Sequence, residues 1–513
     1  MVIGMQFSHF LVSMSMILMA TNYLAEGKYF SKAKFVWENY TILLFVGLFA
    51  IHIIGLLWST DMDYGNRDIQ IKLPLFALPM AIGSSKKLSI HRFEWILLFF
   101  LATSFLSSIV GSVIYFILSQ PGDDYRLMSP FMSHIRLSLM MGIAVFSAFY
   151  LSQKSIQWQK FKIAFILLGF WFIIYLFMLR AMSGIVAVVA AGFILIWIIS
   201  SQKKMKYHQL AKVILVSFTL TSIGYIYTQV SNFYAVEQID STLLDKKTKT
   251  GESYTFDLNS KDFENGHYIN LYVAKDELET SWNEISQFPY DSLDTRAQFI
   301  NHTLTRYLTS KGLRKDREGV YALTDQDIWA IENGIANVRY LNSKSLSTLI
   351  YRYIWEVHNY RIGNNPQGNS LAQRFLFWKI GAEIFTENWL YGTGTGDVQI
   401  AFDEKYQSLS FLIKNKYQLR AHNQFLTMGI TFGGIGLIYF LWMLFSGFTV
   451  RPNSSSYLFV GSFIIMIVSM LDEDTFETQF GITYALFFYF LFLFHQPLKS
   501  ELIAWEDAQK GII

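Results

Sequence analysis

Apolar runs of membrane-spanning length recur along this chain, and they restrict it to a fold built of helices crossing a bilayer. They fall at roughly 7–24, 40–58, 70–84, 95–118, 131–151, 161–179, 183–200, 210–228, 424–447, 456–472 and 479–495. In hydrocarbon every backbone polar group needs an internal partner, and runs of about 20 residues supply one by coiling into helices. Composition agrees, because 52% of the 513 residues are hydrophobic and 16% charged, where a soluble domain carries about 25% charged. The expected fold is an all-α polytopic membrane protein with about eleven (11–12) transmembrane helices. The third run holds Lys72, Pro74 and Pro79, which predicts a kinked or partly re-entrant span. The first has no basic residue ahead of it and no small-residue cleavage site, so it reads as a retained helix. The chain has no cysteine, which excludes disulfide and thiol chemistry.

Loop charges then orient the helices. Basic loops follow the first span (Lys28, Lys32, Lys34), the third (Lys86, Lys87, Arg92), the fifth (Lys154, Lys160, Lys162) and the seventh (Lys203, Lys204, Lys206). Acidic or mixed loops follow the second (Asp61, Asp63, Asp68), the fourth (Asp123, Asp124) and the tenth (Asp472, Glu473, Asp474). By the positive-inside rule the C-terminus is cytoplasmic, and the N-terminus and residues 229–423 lie outside. Three parts follow: membrane helices over 1–228, an outer loop domain over 229–423, and membrane helices with a short cytoplasmic tail over 424–513. In the loop, alternation predicts strands at Tyr254–Asp257 and from Gly266 to Val273. Helical periodicity follows at Ala297–Lys311, Asp325–Asn333 (with Asp325 as its cap), Ser345–Tyr360 and Leu371–Phe385. Basic residues in the loop are interspersed with acids, so no nucleic-acid partner is expected.

Polar side chains where a loop meets a membrane are the first candidates for chemistry. His422, in Arg420-Ala-His422-Asn423-Gln424, stands at the outer mouth of a span. It is either a packing residue or a partly desolvated base tuned near neutral pH, with the Asn423 and Gln424 amides to orient it or a hydroxyl. Arg374 is either a snorkelling arginine or a fork for a pyrophosphate, and Ser370 shares its helical face if that helix starts early enough. Arg180, before Ser183-Gly184, and Arg136, in Ser133-His134-Ile-Arg136, sit at outer helix ends, where an interfacial anchor competes with an anion cradle. Gly392, Gly394 and Gly396 do not follow a strand in a βαβ unit, so no nucleotide fold is implied. They either turn the chain back to the membrane or offer amides to a phosphate or glycan. The Asp472, Glu473, Asp474 and Glu477 cluster lacks a histidine or another acid at fixed spacing, so no metal is expected there.

The order of Arg374, the Gly392-Thr-Gly394-Thr-Gly396 loop and His422-Asn423, just before the glycine-rich span Gly429–Phe448, resembles the O-antigen ligase and polymerase superfamily of polytopic glycosyltransferases. Gln479-Phe-Gly481 also resembles a feature of that family, whereas Arg180 stands further from Ser183-Gly184 than is common there. The resemblance implies a GT-C-like fold in a bacterial inner membrane, with the site facing the periplasm. It implies inverting glycosyl transfer from an undecaprenyl (polyprenyl) diphosphate donor to an acceptor hydroxyl, without metal or cofactor. His422, Arg374 and Arg180 take the catalytic roles, and Asn423, Arg136, Ser370, Gly394, Gly396 and Arg420 contact substrate. The acceptor is lipid A-core for a ligase, a second lipid-linked repeat for a polymerase, or a protein hydroxyl for an O-oligosaccharyltransferase; membrane lipids surround the site. A lipid-linked glycan transporter is the rival of another class, although it should place polar groups near midplane within inverted repeats.

Overall fold

The computed structural model describes residues 1–118, 125–155, 157–202, 207–240, 242, 244–257, 260, 262–342, 345–409, 413–450, 456–498 and 500–502. Asp123, Asp124, Lys203, Lys204 and Lys206, used above for orientation, lie outside the described residues, as does the chain after 502. Contacts divide the chain into two compact units, Met1–Lys212 with Leu376–Ile513, and Val213–Phe375.

In the first unit the N-terminal helices are α1 (His9–Ala25), α2 (Tyr40–Ile54), α3 (Met62–Lys72), α4 (Ile90–Val113), α5 (His134–Lys154), α6 (Lys162–Met178) and α7 (Met182–Ser201). Helix α8 (His208–Phe233) follows. Among the described residues seven helices are long and apolar enough to cross a membrane, and His9–Ala25, Tyr457–Asp472 and Gln479–His495 are shorter apolar helices. The protein is thus a multi-pass membrane protein with helices at ten of the expected places. The third place is corrected. Its helix starts at Met62, not near residue 70, because the Asp61 carboxylate caps it by accepting from the Tyr64 amide at 2.8 Å. It is then broken into Pro74–Leu78 and a π-turn at Pro79–Gly83, since each proline lacks an amide donor.

The Val213–Phe375 unit has its own core of Leu278, Trp282, Ile300, Leu304, Tyr307 and Ile331. Among the described residues its regular strands are β1 (Phe263–Glu264) and β2 (His267–Tyr268), antiparallel and joined at Asn265-Gly266 with φ of 50° and 90°. That pair of positive φ values is the Asn-Gly hairpin turn, which sets the register of the two strands. The strand expected at Tyr254–Asp257 is a single bridge, Thr255 to Val273. Among the helices that follow are α9 (Ile300–Ser310), α10 (Asp325–Glu332) and α11 (Leu346–Arg361). The cap of α10 is Thr324, not Asp325, because Thr324 and Asp327 form a reciprocal capping box.

Asp327 also accepts from Lys311 Nζ at 2.6 Å and Tyr307 Oη at 2.5 Å. Burial alone would raise its pKa, but Lys311, Tyr307 and Thr324 hold it at about 2. A depressed carboxyl stabilises the fold above its ordinary value of 3.8 and loses that contribution as pH falls through about 2. Asp327→Asn should therefore destabilise this unit by about 2 kcal/mol at neutral pH and remove part of its acid sensitivity. Hydrogen exchange of peptides covering 300–332 at pH 7 and pH 3 checks this.

Helix α12 (Ser370–Glu387) leads out of this unit, and α13 (Val398–Gln407), α14 (Gln424–Phe445), α15 (Tyr457–Asp472) and α16 (Gln479–Phe490) complete the first. Its core runs from Phe45 and Phe100 through Met140 and Tyr175 to Met466 and Phe488.

Candidate functional site

The site grows from the acidic turn between α15 and α16. Helix α15 has only 16 residues, about 24 Å of helix against a hydrocarbon core of about 30 Å. Its start is tied to the end of the last span, where Ser456 Oγ donates to Gln496 Oε1 at 2.6 Å. The opposite end, Asp472 to Thr478, is the short turn that forms the floor of the candidate site.

The start of α14 is moulded onto this floor. Asp474 accepts from the backbone amides of His422 (3.1 Å) and Asn423 (2.9 Å) and from Thr427 Oγ1 (2.7 Å). Asn423 caps α14 by accepting from the Leu426 amide at 3.0 Å, and its side-chain amide donates to the Leu471 carbonyl. Gln424 accepts from the Phe476 amide at 2.5 Å, so this side chain orients the turn and not a sugar. These bonds hold His422 at φ 46°, a left-handed conformation that costs a non-glycine residue about 1–2 kcal/mol. The half-buried imidazole lies beside Phe377, with Nδ1 3.6 Å from Glu473 Oε2. Burial raises the Asp474 carboxyl above the usual carboxylate range, with Arg420 and His422 pulling the other way.

The same turn meets Arg136 and Arg420. Arg136 donates to Thr478 Oγ1 at 3.1 Å, lies over the Phe480 ring, and feels the Glu473 charge. Arg180 is exposed, stacks over Tyr125, and is itself left-handed at φ 49°. Three residues on, the Ser183 hydroxyl donates to Asp472, tying the start of α7 to the floor. Arg420, expected to bind substrate, is committed elsewhere. Its guanidinium is 2.7 Å from Glu477 Oε2 and donates to the Tyr64 hydroxyl, because a buried cation needs a fixed counter-charge. Burial would raise Glu477, yet Lys72 and Arg420 hold it well below the usual carboxylate range.

The glycine loop packs against α14. Gly433 breaks α14 at φ 67°, ψ −166°, which frees carbonyls inside a membrane-depth helix. The loop satisfies them: the Thr393 amide donates to Ile430 O at 2.8 Å and the Gly394 amide to Thr431 O at 3.0 Å. In return the Gly434 amide donates to Trp389 O at 2.6 Å, and Gly396 donates to Ser59 Oγ at 2.9 Å. The Gly394 and Gly396 amides are thus committed inside the protein, and the contacts lie about 10–15 Å along α14 from Gln424.

Residues 335–441 match the O-antigen ligase family. No curated protein matches the chain. The O-antigen ligase segment takes in Arg374, the glycine loop, Arg420 to Asn423 and the kink at Gly433, in agreement with the resemblance read from those residues. It stops before the acidic turn and excludes Arg136 and Arg180. Arg374 and Ser370 lie in the Val213–Phe375 unit, where Arg374 Nη1 donates to Ser370 Oγ at 2.7 Å, the expected i,i+4 pairing. In the other unit Arg136, Arg420, His422 and Asn423 share one acidic turn, and Ser183 brings the segment of Arg180 to it. Sequence reading set the Asp472–Glu477 cluster aside as a failed metal site. Four carboxylates between two apolar helices were themselves the signal, since charges at membrane depth need partners.

Proposed function

We propose that this protein transfers a glycan from a polyprenyl diphosphate to an acceptor hydroxyl at the non-cytoplasmic face of a bacterial inner membrane. The family match supports activity of the O-antigen ligase or polymerase type, with a lipid-linked glycan donor and a glycan acceptor. The observation that carries the reading is His422, held in a strained conformation by Asp474 on an acidic turn that also anchors Arg136. Strain of this kind persists where the surroundings over-determine it, and it fits a preorganised base.

In this reading Arg180 and Arg136 grip the diphosphate and stabilise charge growing on it as the glycosidic bond breaks, the role the resemblance also gives to Arg374. His422 takes the proton of the acceptor hydroxyl, Glu473 steadies the imidazolium, and in-line attack inverts the anomeric carbon. Arginine charge serves the leaving group without a metal. Asn423 sets the helix start, while Gly394, Gly396, Arg420 and Ser370 position the segments that carry these groups. Lipid A-core is the favoured acceptor; a second lipid-linked repeat or a protein hydroxyl would make the protein a polymerase or an O-oligosaccharyltransferase.

The test is purified protein in detergent with an undecaprenyl-diphosphate glycan and each acceptor in turn, the product being identified by mass. Transfer to one acceptor with release of undecaprenyl diphosphate is expected. Arg180→Ala should raise the donor KM about tenfold or more, because a diphosphate contact made in ground and transition states is lost. Donor carried across liposomes without covalent transfer would overturn the reading in favour of a transporter.

A further inference from the structure

Lys72 is wholly buried, and no step above uses it. It projects from the last residue of α3, just ahead of the proline break, where an ammonium away from water is costly unless paired. Its Nζ is 2.8 Å from Glu477 Oε2 and 3.3 Å from Asp68 Oδ1, and it donates to the Phe476 carbonyl at 2.7 Å. The same Glu477 oxygen is 2.7 Å from Arg420 Nη2, so one carboxylate oxygen bridges a buried ammonium and a partly buried guanidinium. Arg420 stands two residues before His422, and Thr478, next after Glu477, accepts from Arg136. Lys72 and Arg420 together balance Asp68 and Glu477. Loss of Lys72 alone would leave surplus negative charge beside the anchor of Arg136 and within the turn that seats His422.

We propose that Lys72 is a positioning residue for this site: with Arg420 it neutralises Glu477, and so fixes the seat of His422 and the affinity of Arg136 for an anion. The part concerning the anion rests on the functional reading above; the part concerning His422 does not. A lysine that merely filled space would tolerate methionine, whose thioether chain follows a similar path without the charge. The charge-based role predicts instead that Lys72→Met is damaging and that Glu477→Gln in the same chain relieves it, because the doubly substituted protein again has balanced charge.

The experiment uses the full chain in detergent as wild type, Lys72→Met, and Lys72→Met with Glu477→Gln. The rate of diethyl pyrocarbonate modification at His422, read by peptide mass spectrometry, reports its seat without any substrate. Turnover over a range of undecaprenyl-diphosphate glycan gives donor KM and kcat. Lys72→Met should change the modification rate at least about threefold and raise donor KM about tenfold, and the double variant should recover most of both. Wild-type modification rate and KM in Lys72→Met, or a double variant no better than the single, would overturn the proposal. If Lys72→Met alone does not accumulate, the double variant decides: near-wild-type values support the proposal and their loss refutes it. Absence of turnover in the wild type would count against glycosyl transfer, while the modification rates still settle the role of Lys72.

Discussion

His422→Asn should lower transfer about 10³-fold while leaving affinity for the donor within about threefold of wild type. Asparagine is chosen because it tolerates left-handed backbone, so φ 46° and the two amide bonds to Asp474 survive the exchange. Alanine would add backbone strain to the loss of the ring and confound the two. What asparagine cannot do is accept a proton near neutral pH, which is the single function assigned to the imidazole. Glu473→Gln should fall between the two proteins, since its carboxylate, 3.6 Å from Nδ1, favours the imidazolium without reacting. Single-turnover rates with a lipid-diphosphate glycan, beside equilibrium binding of the same donor, separate chemistry from affinity. Near-normal transfer by His422→Asn would remove the base from the mechanism, and loss of binding with transfer in proportion would make His422 a ligand of the donor.

The helices were legible because hydropathy is a local property, and a run of about 20 apolar residues carries its own instruction. The motif around His422 was legible for a related reason, polar residues being conspicuous at a membrane mouth. What escaped was decided by residues far apart in the chain. Arg420 looked like a free cation until Glu477, 57 positions later, was found 2.7 Å away. Lys72 was read with Pro74 and Pro79 as the sign of a kinked or partly re-entrant span, and its partner Phe476 lies 404 positions on. The hairpin was misjudged for the opposite reason. Alternation over Gly266 to Val273 suggested a long strand, whereas its regular pairing is His267–Tyr268 with Phe263–Glu264 and Val273 makes isolated bridges to Thr255 and Lys315. The early start of the third span was local as well, and Asp61 ahead of Met62 was the cap signal that marked it.

Gly392→Ala should prevent the membrane unit from assembling. Gly392 has φ 73°, which alone costs alanine about 1–2 kcal/mol. Steric overlap costs more. A Cβ there would collide with the Thr431 carbonyl and the Phe432 amide, which are backbone and cannot rotate aside. Relief requires the loop to withdraw from α14, and withdrawal strands the Ile430 and Thr431 carbonyls and the Gly434 amide that the loop pairs with. Each buried backbone group left without a partner costs about 1–3 kcal/mol, so a stability of about 5–15 kcal/mol would be largely consumed. Gly192→Ala in α7 is the control, because nothing lies within 4 Å of an added Cβ there. The measurement is the monodisperse fraction recovered in detergent and its melting temperature. Near-wild-type values are expected for Gly192→Ala and little folded protein for Gly392→Ala. A well-folded, active Gly392→Ala protein would mean that the glycine loop does not rest on the kink at Gly433. The placement of the loop beside α14 would then have to be redrawn.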